Sequence, residues 1–116
     1  MLKKTRLLSL VAGDLLMPTS ESYLVLATIM FGCGVFGVLF RKNLILVMMS
    51  IELMLNAVNL VFVSATQTLG NIDGQVMVFF VITVAACEAA VGLAMVIALY
   101  RKYGTIDTDF LRILRG

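Results

Sequence analysis

Apolar residues fill three long stretches of this chain almost without interruption, and polar residues gather in the short gaps between them. The first stretch runs from about Ser22 to Phe40, the second from Asn43 to Ser64, the third from Gln75 to Tyr100. Each matches the roughly 20 mostly apolar residues that a helix needs to cross a bilayer. A span must satisfy its own backbone polar groups, so a helix is the natural form for each. The pattern predicts an all-α integral membrane protein with three transmembrane helices over residues 21–103. Arg41-Lys42-Asn43 is all that separates the first two spans, which predicts a tight hairpin at the membrane surface. Residues 65–74 read as a short polar loop between the second and third spans. Residues 1–20 form an N-terminal extension and 104–116 a tail.

Composition sharpens this picture. Of 116 residues, 61% are hydrophobic and 14% charged. A soluble domain of this size needs a far more polar surface. The net charge of +2 gives no sign of a nucleic-acid partner. The chain has no His, which excludes a His base and a His-ligated metal. Cys33 and Cys87 each sit alone inside an apolar run and read as small packing side chains.

Charge placement sets the orientation. Arg41 and Lys42 close one end of the first hairpin, and Arg101 and Lys102 close the third span on the same side. The opposite loop carries Asp73 and no Lys or Arg. By the positive-inside rule the N-terminus faces outward and the C-terminus faces the cytoplasm. In the tail, Gly104 predicts a helix stop. Asp107 or Thr108 predicts the cap of a short helix carrying Phe110, Leu111, Ile113 and Leu114. That helix is either an interfacial turn or a docking strip for a cytoplasmic partner.

Two residues break the apolar pattern at a cost. Glu52 and Glu88 lie inside the second and third spans. A charge near the bilayer centre costs roughly 2.5–3.5 kcal/mol even on lenient insertion scales. Glu52 is ten residues past Lys42 and Glu88 thirteen before Arg101, or about 15 and 20 Å along a helix. Both fall near the midplane of a core about 30 Å thick. Carboxylates at such depth mark proton or ion transfer more often than structure. Asn56 and Asn59 follow Glu52 at i+4 and i+7, on one helical stripe. That stripe should face another helix or a hydrated cavity. For the two amides alone, interhelical hydrogen bonding is an adequate account.

Gly32-Cys33-Gly34-Val35-Phe36-Gly37 formally matches G-x-G-x-x-G. A dinucleotide site needs a preceding strand and a phosphate-facing turn, and neither fits inside a membrane span. Cys33/Gly37, Ala85/Ala89 and Ala86/Ala90 read instead as small-xxx-small pairs for close helix packing.

These residues carry a family resemblance. Arg41-Lys42-Asn43-Leu44, followed by Met49-Ser50-Ile51-Glu52-Leu53-Met54-Leu55-Asn56-Ala57-Val58-Asn59-Leu60, resembles the second span of subunit K of proton-pumping NADH:quinone oxidoreductase, respiratory complex I. Its mitochondrial counterpart is subunit 4L. The third span is similar through Asp73-Gly74-Gln75-Val76 and Ala85-Ala86-Cys87-Glu88-Ala89-Ala90-Val91-Gly92-Leu93, and the ending Leu114-Arg115-Gly116 is common there too. Cys87 stands where that family often has Ala.

The resemblance covers about Ser22 to Gly116. It implies a non-redox membrane subunit in a hetero-oligomer with other membrane subunits, in a bacterial inner membrane. Glu52 and Glu88 would belong to the groups that couple quinone reduction to proton translocation. Arg41 and Lys42 match the family's short basic cytoplasmic loop. Flavin, iron–sulfur clusters and quinone would be held by other subunits, with no cofactor on this chain.

The nearest rival is the related three-span component of multisubunit sodium/proton antiporters, which typically lacks the second-span glutamate. A small multidrug exporter, with four spans and one carboxylate, fits poorly. A purely structural assembly protein is the third alternative.

Residues 1–20 lie outside the resemblance, and Lys3, Lys4 and Arg6 would sit on the outer side against the charge rule. Either this segment lies on the outer face, or Met17 is the true start. A Met17 start predicts that purified native protein yields no peptide containing Lys4 on mass analysis. Detection of that peptide rules it out.

Overall fold

The computed structural model describes residues 1–16 and 19–113. Met17, the alternative start, and the closing Leu114-Arg115-Gly116 lie outside the described residues. Among the described residues five helices follow one another: α1 (Leu2–Leu16), α2 (Ser20–Phe40), α3 (Leu44–Leu69), α4 (Asp73–Tyr103) and α5 (Thr108–Ile113). Among the described residues there is no β-strand, only one isolated antiparallel bridge between Asn43 and Asp107. Helices α2, α3 and α4 are each long and apolar enough to cross a membrane, so the protein is an all-α integral membrane protein. Helix α1, at fifteen residues, is too short, and residues 1–13 of the chain are exposed.

Local chemistry fixes where the helices start and stop. Thr19 Oγ1 accepts from Ser22 N at the start of α2, 3.4 Å. Asn43 Oδ1 accepts from Ile45 N and Leu46 N at the start of α3, 2.9 and 3.4 Å. These are N-caps that satisfy otherwise orphaned backbone donors. Gly70 and Gly104 end α3 and α4 in the left-handed region, at φ 66° and 71°. That conformation crowds any residue with a Cβ and leaves glycine free.

The helices outrun the hydrophobic stretches. The ten-residue polar loop expected over 65–74 shrinks to Gly70-Asn71-Ile72, because α3 continues through Ala65-Thr66-Gln67-Thr68 to Leu69 and α4 begins at Asp73. Hydropathy marks where lipid ends, whereas the backbone ladder runs on until a residue breaks it. Here the breakers are Gly70 and the Asn71 turn, whose Oδ1 accepts from Asp73 N at 3.3 Å.

Helix α3 is the central element. It packs against α2 on one side and α4 on the other. Ser50, Met54, Ala57, Val61 and Ser64 meet α2. Met48, Glu52, Leu55, Asn59, Phe62 and Thr66 meet α4. Both rows advance in steps of three and four, the spacing of one helical face. The α2 contact is close: Ala27 and Ala57 are buried, and Ser64 Oγ donates to Ser20 O at 3.0 Å.

The small-residue reading of α2 needs a correction. Gly37 does face α3, against Ser50, but its companion is Gly34 and not Cys33. Cys33 is exposed. A helix apolar all round carries no period to show which face meets its neighbour, so the phase was open in the sequence.

A Cβ built on Gly34 would lie 2.8 Å from Ser50 O and overlap the Met54 side chain. Gly34→Val should therefore destabilise the α2–α3 hairpin by about 1–3 kcal/mol, read as a lower unfolding temperature of the purified protein. Gly32→Ala, whose Cβ meets nothing within 4 Å, should leave that temperature unchanged or slightly raised, since alanine favours a helix interior over glycine.

Candidate functional site

The seam between α3 and α4 gathers Glu52, Glu88, Asn56 and Asn59. Two glycines set its register. Gly92 lies against Met48, with 2.7 Å from a would-be Cβ to Met48 Cε, and buried Gly74 lies against Thr66 and Phe62 O. Met48 and Thr66 are eighteen residues apart on α3, as are Gly74 and Gly92 on antiparallel α4. The two contacts thus fix one continuous alignment. Glu52, four residues after Met48, falls level with Glu88, four residues before Gly92.

Both carboxylates accordingly line one cavity of about 90 Å³, with Met48, Ile51 and Gly92. That volume admits a few water molecules. Glu52 also lines a second cavity of about 230 Å³, with Leu55, Asn56 and Asn59 of α3 and Ile82, Ala85 and Ala86 of α4. Glu52 therefore stands between the two spaces. Its stripe companions Asn56 and Asn59 face the same cavity as Ala85 and Ala86. Asn59 Oδ1 is shielded and has no hydrogen-bond partner among the described residues. A buried amide oxygen of this kind is a natural acceptor for cavity water. Small residues of α4 leave the room: side chains larger than those of Ala85, Ala86 and Gly92 would fill both spaces.

The seam is open on one side. Glu52 is half-buried, whereas Glu88 and Asn56 are exposed at its edge. Around them α4 presents Phe79, Phe80, Ile82, Val84, Val91 and Met95 outward. A carboxylate on an apolar, lipid-depth surface is costly unless another group covers it. Among the described residues no cluster of His, Cys, Asp and Glu could hold a metal ion.

The two cations of the basic loop have different surroundings. Lys42 pairs with Asp109 of α5, while Arg41 is exposed and makes no ion pair among the described residues. The Asp109 carboxylate, by its hydrogen bond first and its charge second, raises the Lys42 pKa above the ordinary lysine value. A raised lysine pKa means the pair is held below that value and released only as pH climbs through it, so it is intact at neutral pH. The sequence singles out Lys42 but not Asp109. The two are 67 positions apart, and no periodicity links a loop to a tail.

Comparison with known proteins sets these residues in context. Residues 22–116 match the family described as NADH-ubiquinone/plastoquinone oxidoreductase chain 4L. A relative from Geobacter metallireducens, NADH-quinone oxidoreductase subunit K 2, is 50% identical over 99 residues, covering 85% of this chain and 99% of that one. Subunit K from Bdellovibrio bacteriovorus is 51% identical over 94 residues, 81% of this chain and 88% of the relative. Subunit K from Anaeromyxobacter dehalogenans (strain 2CP-C) is 54% identical over 94 residues, 81% and 95%. These matches do not favour the antiporter alternative.

The register is open to a direct test in a background with Cys33 and Cys87 replaced by Ser. Met48→Cys with Gly92→Cys should form a disulfide under mild oxidation, since the Met48 side chain reaches across the seam onto Gly92. Met48→Cys with Glu88→Cys, a full turn out of register, should form little.

Proposed function

Because the chain belongs to the NADH-ubiquinone/plastoquinone oxidoreductase chain 4L family and is a membrane subunit of NADH-quinone oxidoreductase, complex I, we propose that Glu52 and Glu88 pass protons across the α3–α4 seam during quinone-linked proton translocation. One observation carries this reading: the two intramembrane carboxylates stand level on one small cavity. A protonated carboxyl on one helix gives its proton to cavity water as the carboxylate on the other accepts one. Atoms and charge balance within the pair, and neither glutamate needs a redox change. Asn56 and Asn59 support the route by holding water beside Glu52.

The same reading assigns the rest of the chain. The subunit itself is non-redox, and flavin, iron–sulfur clusters and quinone sit in other subunits. Neighbouring membrane subunits cover the open edge of the seam at Glu88 and the outward apolar face of α4. The N-terminus faces outward and the C-terminus the cytoplasm, since Arg41, Lys42, Arg101 and Lys102 share one end of the bundle. The membrane is the inner membrane of a bacterial cell, in keeping with relatives that come from bacteria. Arg41 is the loop cation available to an acidic group of a neighbour.

Glu52→Gln and Glu88→Gln test the proposal in assembled complex. Each should lower proton pumping and quinone reduction by at least about tenfold, below the roughly 10²–10⁴-fold that a positioned proton-transfer group typically contributes, with normal amounts of complex in the membrane. Unchanged pumping and quinone reduction in Glu52→Gln would make Glu52 interhelical glue and sink the mechanism.

A further inference from the structure

The tail is built into the start of α3. Gly104 turns the chain back, and Thr105 and Ile106 carry it to the α2–α3 loop, where Asp107 bridges Asn43. Two backbone hydrogen bonds close this contact. Leu44 N donates to Ile106 O at 3.1 Å, and Thr108 N donates to Lys42 O at 2.8 Å. Leu44 and Thr108 are the first residues of α3 and α5. Their N–H groups are among those a helix leaves without an internal partner.

The two helix starts therefore cap each other. The residue before each also caps its own helix: Asn43 Oδ1 takes Ile45 N at 2.9 Å, and Asp107 Oδ1 takes Asp109 N at 2.9 Å. The arrangement is a reciprocal clasp, with like elements repeated on both sides. The Lys42–Asp109 pair lies beside it, and Tyr103 packs on Phe110 with ring centroids 6.4 Å apart.

The position of the clasp matters more than its strength. Lys42 and Asp109 are 67% and 52% exposed, and exposed ion pairs contribute little to stability by themselves. Yet α3 and α4 are joined at one end by Gly70-Asn71-Ile72 and at the other by this clasp. Between the two ends lies the seam with its cavities. Glu52 is eight residues from Leu44, about 12 Å along the helix.

We infer that Thr108, through its backbone N–H, and Asp109, through its carboxylate, are positioning residues that clasp the end of α4 to the start of α3 and so hold Glu52 level with Glu88. The inference rests on the proton-transfer reading of those two glutamates. Thr108→Pro is a selective probe. Proline is well suited to the first position of a helix, and Asp107 before it lies in a β-bridge outside the helix, where a residue preceding proline is tolerated. The change removes the bond to Lys42 O and leaves α5 able to form. Asp109→Lys places two cations together at the clasp.

The experiment uses the assembled complex in native membranes, normalised to the amount of complex. Thr108→Pro and Asp109→Lys should each lower kcat for quinone reduction about three- to tenfold, in line with the sensitivity of catalysis to ångström-scale misplacement, with quinone KM unchanged. The charge exchange Lys42→Asp with Asp109→Lys should restore at least half of the rate. Thr108→Pro should also slow disulfide formation between Met48→Cys and Gly92→Cys. Should Asp109→Lys assemble poorly, Asp109→Asn gives the milder reading, with an expected loss of about twofold.

Full activity in Thr108→Pro, in Asp109→Lys or in Asp109→Asn overturns the inference, as does a charge exchange that restores nothing. Glu52→Gln run in parallel separates the two levels. Loss in Glu52→Gln without loss in the clasp variants removes the clasp alone. Full activity in Glu52→Gln removes the proton-transfer reading on which the clasp depends.

Discussion

The contact of α4 with α3 through Gly74 and Gly92 is the constraint on which the site rests. At Gly74 a side chain would collide with the backbone at Phe62 O and with Thr66, and at Gly92 it would have to push aside the flexible end of Met48. Small residues let helices approach within a membrane, where apolar side chains gain nothing by leaving lipid. Two such contacts, eighteen residues apart on each helix of the antiparallel pair, favour one register. A shift by one residue would turn Glu88 by about 100° around its helix and away from Glu52. The level placement of the carboxylates is thus a property of where the glycines are, and the glutamates inherit it.

Helix α3 reconciles two demands. One of its faces meets α2 through small and apolar residues, tightly enough to bury Ala57 and Ser64. Its other face meets α4 loosely and carries Glu52 and Asn59 beside two cavities. Tight packing on one side gives the helix a fixed rotation. Loose packing on the other leaves room for water where polar groups need it. The polar stripe is tolerable only because it faces the seam, since lipid offers it no partner. Its open edge at Glu88 gives the subunit a reason to be functional inside an assembly.

Much of this was legible in the sequence alone. Three spans follow from length and hydropathy, Gly104 from the residue that tolerates a left-handed turn, and the one-sided stripe of Glu52, Asn56 and Asn59 from helical spacing. Other features were not. The ends of α3 and α4 extend past the apolar runs because hydropathy reports lipid contact and not backbone hydrogen bonding. Gly34, and not Cys33, partners Gly37 because a uniformly apolar helix does not encode its own rotation. The clasp escaped because it joins residues far apart in sequence through backbone atoms, which leave little trace in residue type. Asp109 was visible only as one more acid in a polar tail.

On the proposed mechanism, Glu52 and Glu88 exchange protons when the complex turns over. Redox-triggered infrared difference spectroscopy of the assembled complex reads this most directly, through the C=O stretch that a carboxyl has only when protonated. That mechanism requires a carboxylic band that changes on quinone reduction and is altered in both Glu52→Gln and Glu88→Gln. A spectrum in which the carboxylic bands are the same in those variants as in the unaltered complex would contradict it.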